Sequence, residues 1–500
     1  MPSIPHRPTH AALALSIVLP VALSATSTRA DLTPAAGFTS ETVISGLEDP
    51  TGLAFAGPDR LLVARQPGVV EVVADGTLQA TPLLDLRDEV GFGWDRGLLA
   101  VAVDPAFELT RFVYLLLVVD PIPGRPDEPS HTPAFGRLVR YTAVERGGML
   151  VADAASRTVL LGHGPDDGIP CCYRSHSVGD LAFALDGSLF VSTGDGANFN
   201  TIDAGGDAAC AALFGEDLDI GSFRAQSLDS MAGKVLRIDP ATGLGLEDNP
   251  FFDGDPDSVR ARIWATGLRN PFRISIDEDG ATPGDLLVAD VGWNLREEVS
   301  RVVGGENLGW PCLEGLEPPV GYPAIDLPAW DCASVETPDN PGPLTDPVLQ
   351  WHHGDPTQSV PPGIIGRCAI VGPRVAHAGA PPRLAGRLVI ADHIDSWIRA
   401  VEWNDDGTVE SVVTVATNAE RPVDLVLDPV TGDLLSLGAL TGAIHRIRGP
   451  HPDLDGDGLV DGADLALLLA AWGSTGPADF DGSGSVDGAD VGILLGSWTK

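Results

Sequence analysis

The stretch LAFALDGSLFVS, residues 181–192, sets apolar residues on either side of an Asp-Gly pair. Alternating apolar positions that meet at a tight turn read as a β-hairpin, because strand side chains repeat every two residues and the glycine supplies the positive φ of the turn. The same phrase returns as GLAFAGPDRLLVA from Gly52, and more loosely as RISIDEDGATPGDLLVAD from Arg273 and VDLVLDPVTGDLLSLG from Val423. No amphipathic helix of useful length separates these hairpins. One supersecondary unit recurring across residues 31–448 predicts an all-β fold, a six-bladed β-propeller. Six blades take roughly 70 residues each, against about 45 for a compact blade, so some loops must be long. Residues 121–133 and 198–230 look like such insertions. A sandwich or a β-helix is the architectural alternative.

Composition agrees with a turn-rich β fold: Gly 59 and Pro 42, with hydrophobic residues at 44% supplying a core. The formal net charge of −39 argues against nucleic acid or an anionic membrane as a partner, since both need a basic footprint. At the N-terminus Arg7 precedes an apolar run from Ala11 to Ala25 and small residues up to Ala30. That run is short for a membrane span, so residues 1–30 read as a signal peptide cleaved after Ala25 or Ala30. The expected location is therefore secreted or periplasmic, with cell-surface association one form of it. No later stretch is apolar enough for a membrane span. Six cysteines in an exported chain predict disulfides, with 15 pairings open. Cys312 with Cys332 closes one local loop and is the pairing we expect; Cys171 and Cys172 are adjacent, and no spacing fits a zinc site.

Past Arg448 the character changes. Gly449, Pro450 and Pro452 form a stiff linker, so 449–500 reads as a separate module. It carries DLDGDGLVDGADLALLLAAWG from Asp453 and, 26 residues on, DFDGSGSVDGADVGILLGSW from Asp479. Positions 1, 3, 5, 9 and 12 of the first loop are Asp453, Asp455, Asp457, Asp461 and Asp464; those of the second are Asp479, Asp481, Ser483, Asp487 and Asp490. Gly458 and Gly484 stand at the sixth position, where the chain must bend sharply, and Leu459 and Ser485 would each give a backbone carbonyl. Calcium takes six to eight hard oxygens, and this spacing wraps one loop around one ion. Each loop runs into a short apolar helix, but the linker forbids a helix before the first loop. This duplicated half EF-hand resembles the dockerin type I repeat, which implies a cohesin-like partner; a calcium-stabilised tail without a partner is the alternative.

Histidine is scarce, and His176 lies just before a strand, in a loop that a propeller presents at its channel mouth. An imidazole there can work as a general base near neutral pH, although a lone histidine is more often structural. Its context is specific. SHSVGDLAFALDGSLFVSTGDG (175–196), GKVLRIDP from Gly233, GLRNPFR from Gly267, DVGWNLREEVSRV from Asp290 and NLGWPCLEG from Asn307 follow one another in this order, with RGLLAVAVDPAF from Arg96 upstream. Together they resemble the soluble quinoprotein glucose/sorbosone dehydrogenase family, including its Hedgehog-interacting-protein-like branch. The resemblance implies a six-bladed propeller that binds pyrroloquinoline quinone (PQQ) and calcium and oxidises an aldose or oligosaccharide substrate to a lactone. It makes His176 the base that takes the anomeric proton, with hydride passing to the quinone. It assigns Arg269 and Asn270 to the cofactor, along with Arg421, and the backbone carbonyls of Gly292 and Trp293 to an active-site calcium. Read without the family, Arg269 would pair with Glu297 or Glu298, and Gly292 would be a turn glycine.

The sequence also departs from the family. Its glutamine is Asp95 or Arg96 here, the acidic residue before the base is Ser175, and ADHIDSWIRAVEW holds Arg399 but no lysine. A paired arginine near the last blade is reduced to Arg421, with Val423 in the second place. Three functions compete: a PQQ- and calcium-dependent aldose dehydrogenase; a non-enzymatic binding or scaffold propeller of the Hedgehog-interacting type, tethered through the dockerin-like module; and a lactonase, which would need a channel calcium on Glu, Asn and Asp side chains that the sequence does not present.

Overall fold

The computed structural model describes residues 31–119, 132–277, 284–327, 330–332, 344–361, 364, 366, 374–375, 384, 386–404, 409–455 and 459–499. The expected signal segment 1–30, Cys368, Asp457, Gly458 and most of the expected insertion at 121–133 lie outside them.

The Leu181–Ser192 hairpin forms as read: Val178–Phe183 pairs antiparallel with Leu189–Thr193, Phe183 opposite Leu189. Its turn is built by Asp186, whose Oδ1 accepts from the Ser188 N–H at 2.9 Å and the Ser188 hydroxyl at 2.7 Å, while Gly187 takes φ 86°. The chain then repeats this meander sheet by sheet. The innermost strands are Pro50–Phe55, Leu98–Val103, Val178–Phe183, Pro271–Ile276, Arg374–Val375 and Pro422–Leu427, each followed by neighbours farther out. These six sheets are the blades of a β-propeller; the sandwich and β-helix alternatives fall away. The ring closes with N-terminal chain. Thr39–Ile44 supplies the outer strand of the last blade by pairing with Ala443–Arg448, and Thr33–Pro34 joins the edge of the fifth blade at Val409–Thr417. Closure of this kind ties the two ends of the propeller together and leaves each blade only its short outer edge.

The core lies between neighbouring blades. Leu116, Leu138 and Val118 of the second blade pack with Leu181, Leu189 and Leu236 of the third, all at most 4% exposed. The central channel is not open throughout. Arg273, 1% exposed, donates Nε to the Val423 carbonyl at 3.0 Å and Nη2 to the Thr51 carbonyl, and sits 3.6 Å from Asp424. One guanidinium from the fourth blade thus bonds the sixth and first blades across the axis. Beyond it, the far ends of the inner strands line an open cavity of about 320 Å³ that includes Leu53, Val101, Leu181 and Val426.

The insertion at 198–230 is present as a short helix, Ala208–Phe214, and two 3₁₀ turns. Cys210 on that helix is bonded to Cys172, and the expected Cys312–Cys332 bridge is formed. Disulfides are thus present as expected, with one free cysteine among the described residues. Cys171 is free and fully buried, because successive strand residues face opposite ways and its sulfur enters the core while that of Cys172 reaches the insertion.

After Arg448 come the two helices read from sequence, Gly462–Ala470 and Gly488–Gly496. Asp461 and Asp487 cap them, each with the Asp three residues on completing a capping box. Val460, Leu468, Phe480, Val486 and Leu494 form a small core of their own. Among the described residues no helix is long and apolar enough to cross a membrane.

Candidate active site at the channel mouth

Every blade begins with its innermost strand, so the residues that precede those strands gather at one mouth of the channel. His176 stands two residues before Val178, Arg269 and Asn270 directly before Pro271, and Arg421 directly before Pro422. Hydrogen bonds stitch these loops around the ring. The His176 N–H donates to Asp95 Oδ2 at 3.2 Å, the Asp195 N–H to the Arg269 carbonyl at 2.8 Å, and the Arg421 N–H to the Ser396 hydroxyl at 3.2 Å. The backbone is held in unusual conformations here: His176 has φ 51°, Trp94 56°, Glu420 57° and Arg421 57°. Positive φ in residues with side chains is costly and is tolerated where the surroundings over-determine it, commonly at functional loops.

His176 is 4% exposed, and its Nδ1 lies 2.9 Å from Asp195 Oδ1. Asp195 is also held by the Ala197 N–H at 2.9 Å on Oδ1 and the Trp310 indole N–H at 2.8 Å on Oδ2. Burial alone would push this carboxyl up. The neighbouring His176 charge, its hydrogen bond and the Arg269 guanidinium outweigh burial and bring it down to about 2. A carboxylate on Nδ1 fixes the proton there and leaves Nε2 as the free acceptor, the tautomer a base needs. Asp195 was not singled out from the sequence, but the strand register finds it. Val178 pairs with Thr193, so stepping two residues outward along both strands sets His176 opposite Asp195.

Arg269 pairs with neither Glu297 nor Glu298. Its Nη1 donates to the carbonyls of Val291 at 2.9 Å and Gly292 at 2.8 Å, and its guanidinium lies 5.5 Å from the Trp310 ring centre. The backbone N–H groups of Arg269 and Asn270 clasp Asp290, at 2.9 and 2.6 Å. Burial pushes Asp290 up to about 7 against those bonds and the Arg269 charge. The following loop is moulded on Glu314, whose Oε1 accepts from the N–H groups of Trp293, Asn294, Leu295 and Arg296 at 2.7–3.1 Å. A Cβ on Gly292 would sit 1.5 Å from the Arg296 carbonyl oxygen, so this glycine is required by the tight loop whatever else it does.

Two observations test whether an anionic quinone fits. Arg269 Nε is buried with no partner among the described residues, and Asn270 lies directly beside it, 8% exposed. An unpaired buried donor is costly unless a ligand meets it, so Arg269 fits an anionic cofactor, and Asn270 is its neighbour at the same mouth. Arg421 lies farther round the rim and makes no hydrogen bond to His176 or Arg269 among the described residues. The carbonyls assigned to calcium fit less simply. That of Gly292 already accepts from a guanidinium, so an ion there has to displace a positive group.

In the C-terminal loops the structure brings carboxylate oxygens of Asp453, Asp455 and Asp464 within 4.8 Å of one another, and likewise those of Asp479, Asp481 and Asp490. Asp479 is 6% exposed and its Oδ1 is buried with no partner among the described residues, an arrangement that a cation would relieve. Asp461 and Asp487 use one oxygen each to cap the helices, from Ala463 and Ala489 N–H. The Ser483 hydroxyl lies 3.1 Å from the Ser485 carbonyl, and Leu459 is half exposed.

A family model described as glucose/sorbosone dehydrogenase matches residues 47–326, more than half of the chain. The HIPL2 protein of Arabidopsis thaliana is 25% identical over 428 residues, covering 75% of this chain and 55% of that protein. Quinoprotein glucose dehydrogenase B of Acinetobacter calcoaceticus is 26% identical over 298 residues, covering 57% of this chain and 55% of that one. This chain spans about half the length of the curated relatives it matches. Among solved structures, the PQQ-bound aldose sugar dehydrogenase of Streptomyces coelicolor superposes with a TM-score of 0.55 at 19% identity, over 83% of this chain and 99% of that one, which is a likeness of fold. With the propeller in place and the motifs from Arg96 to Asn307 inside the matched region, the chain belongs to the glucose/sorbosone dehydrogenase family.

Proposed function

We propose that the mouth oxidises the anomeric hydroxyl of an aldose to a lactone. The observation that carries this reading is the His176–Asp195 contact at 2.9 Å, buried beside Arg269 and Asn270. His176 Nε2 takes the hydroxyl proton, and Asp195 stabilises the imidazolium that forms. Trp310 and Ala197 hold the carboxylate so that the ring does not turn away. Arg269 and Asn270 would hold the quinone through its carboxylates and oxygens, with Arg421 a cation at the rim. Pyrroloquinoline quinone, when bound, supplies the acceptor for the hydride that leaves C1.

The test is titration of PQQ into calcium-loaded protein, followed by absorbance and dye reduction across an aldose panel. His176→Gln should keep quinone binding and lose turnover by about 10²–10⁴-fold; Arg269→Ala should weaken quinone binding instead. Wild-type protein that gives neither a bound-quinone spectrum nor dye reduction with any aldose ends the reading.

One observation favours a second reading, a binding propeller without the cofactor. The Arg269 guanidinium is spent on the Val291 and Gly292 carbonyls, where the quinone reading needs a calcium ion. In either case residues 449–500 are proposed as a calcium-loaded module, with Asp453, Asp455, Asp464, Asp479, Asp481 and Asp490 as ligands. Asp457, Asp461, Ser483, Asp487 and the Leu459 and Ser485 carbonyls complete the shells. A cohesin-like domain is its proposed partner, and an exported location suits both modules.

A further inference from the structure

Beside His176 the mouth carries a shelf of aromatic rings that the proton transfer does not use. The Phe199 ring centre lies 6.4 Å from that of His176, 6.3 Å from Tyr173 and 5.7 Å from Trp94. Trp94 is the outermost and is 56% exposed. A single exposed tryptophan is ordinary, but this one is held out on purpose-built supports. Its backbone has φ 56°, its carbonyl accepts from the Gln66 amide at 2.6 Å, and the Arg174 guanidinium covers its ring at 4.0 Å. Phe199 is pinned as well, its carbonyl accepting from the Trp293 indole at 2.8 Å. The shelf therefore exists before any ligand arrives and spends little ordering entropy on binding.

Its edges are polar. Asn200 reaches the Tyr173 hydroxyl at 3.4 Å, Asp95 lies against His176, and Arg174 Nε is buried with no partner among the described residues. A hydrocarbon would strand those groups, and the net charge of −39 disfavours a polyanion. A pyranose suits both features: its C–H face stacks on an aromatic ring, and its hydroxyl rim meets donors and acceptors.

We propose that Trp94, Phe199 and Tyr173 form further sugar subsites, so that the substrate is an oligosaccharide presenting its reducing end to His176. This rests on the aldose dehydrogenase reading. The ring next to the reacting one stacks at Phe199, and the following one at Trp94.

Binding to the full-length, quinone-free protein tests the proposal separately from turnover. Glucose, maltose, maltotriose, cellobiose and cellotriose are titrated by calorimetry into wild type, Trp94→Ala and Phe199→Ala, with melting curves as the check on folding. Each stacked ring should tighten binding by about tenfold, so one trisaccharide series binds well above glucose. Trp94→Ala should lose the last tenfold step, and Phe199→Ala both. Equal affinity for glucose and both trisaccharides, or a Trp94→Ala variant that binds the trisaccharide like wild type, overturns the subsites. So does a Trp94→Ala variant that loses affinity for added PQQ and not for sugar, because the rings then stack on the cofactor. Failure of dye reduction with intact trisaccharide binding counts against the dehydrogenase reading and leaves the subsites standing.

Discussion

Replacing Asp195 with Asn changes one oxygen to an amide nitrogen in a buried network whose other members are all donors. Oδ1 accepts from His176 Nδ1 and the Ala197 N–H, and Oδ2 from the Trp310 indole N–H. If the amide oxygen stays with His176 and Ala197, its NH₂ faces the indole N–H. If it flips, the NH₂ faces the Ala197 N–H and forces His176 into the wrong tautomer. Either way at least two buried donors lose their acceptor, each worth about 1–3 kcal/mol, so Asp195→Asn should destabilise the propeller by roughly 2–6 kcal/mol. Trp310→Phe alone removes one hydrogen bond to a charged group, roughly 1.5–3 kcal/mol. In the double mutant the indole donor is gone, and only the amide NH₂ remains unsatisfied. The two changes should therefore cost less together than their sum, by about 1–3 kcal/mol. Denaturant melts of the four proteins measure this cycle. Strict additivity would refute the network as drawn, because the indole would then not share the carboxylate with His176.

Three further outcomes follow from the same structure. Asp195 falls from the ordinary 3.8 to about 2 in the fold; a depressed acid stabilises above its unfolded pKa, so on the order of 2 kcal/mol should be lost as pH drops from about 4 to 2, and acid titration of Asp195→Asn against wild type should show that increment missing. Asp453→Ala with Asp479→Ala should abolish calcium binding by residues 453–490 and unfold that segment, since metal energy is folding energy in so small a module; unchanged calorimetric stoichiometry counts against the assignment. Cys210→Ser opens the link from Cys172, 38 residues away in sequence, and should cost about 3–4 kcal/mol in denaturant melts, while Cys171→Ser, lacking a bridge, should cost only its buried packing.

The propeller was legible because its determinants are local. Each tight turn and each run of alternating apolar residues acts within a dozen positions, and four copies of one hairpin spread along the chain leave few ways to bury their faces. What the sequence withheld is long-range. The Thr39–Ile44 strand closing the last blade depends on a partner some four hundred residues away, and no feature of TSETVI names Ala443–Arg448 as that partner. Nor does anything local say that Arg273 bonds Val423 and Thr51 across the axis rather than a carboxylate in its own blade.

The site divides along the same line. His176 could be picked out because it precedes a strand, a position that a hairpin reading yields, whereas Arg269 and Asn270 came from the family resemblance alone. Asp195 needed one step more, the register of a single pair, and that step turns a lone histidine into an oriented one. Gly292 shows the opposite case. Its place in the motif suggested an ion on its carbonyl, yet the structure requires glycine there for a steric reason, the Arg296 oxygen 1.5 Å from any Cβ, and gives the carbonyl to Arg269. A steric demand and a ligand role leave the same letter in a sequence. The His176–Asp195 pair carries a structural load as well, because the same carboxylate satisfies the buried Ala197 N–H and Trp310 indole donors. What packing does not demand is the tautomer: any acceptor would hold those two donors, but only an acceptor that also meets His176 Nδ1 keeps the proton there and leaves Nε2 as a base.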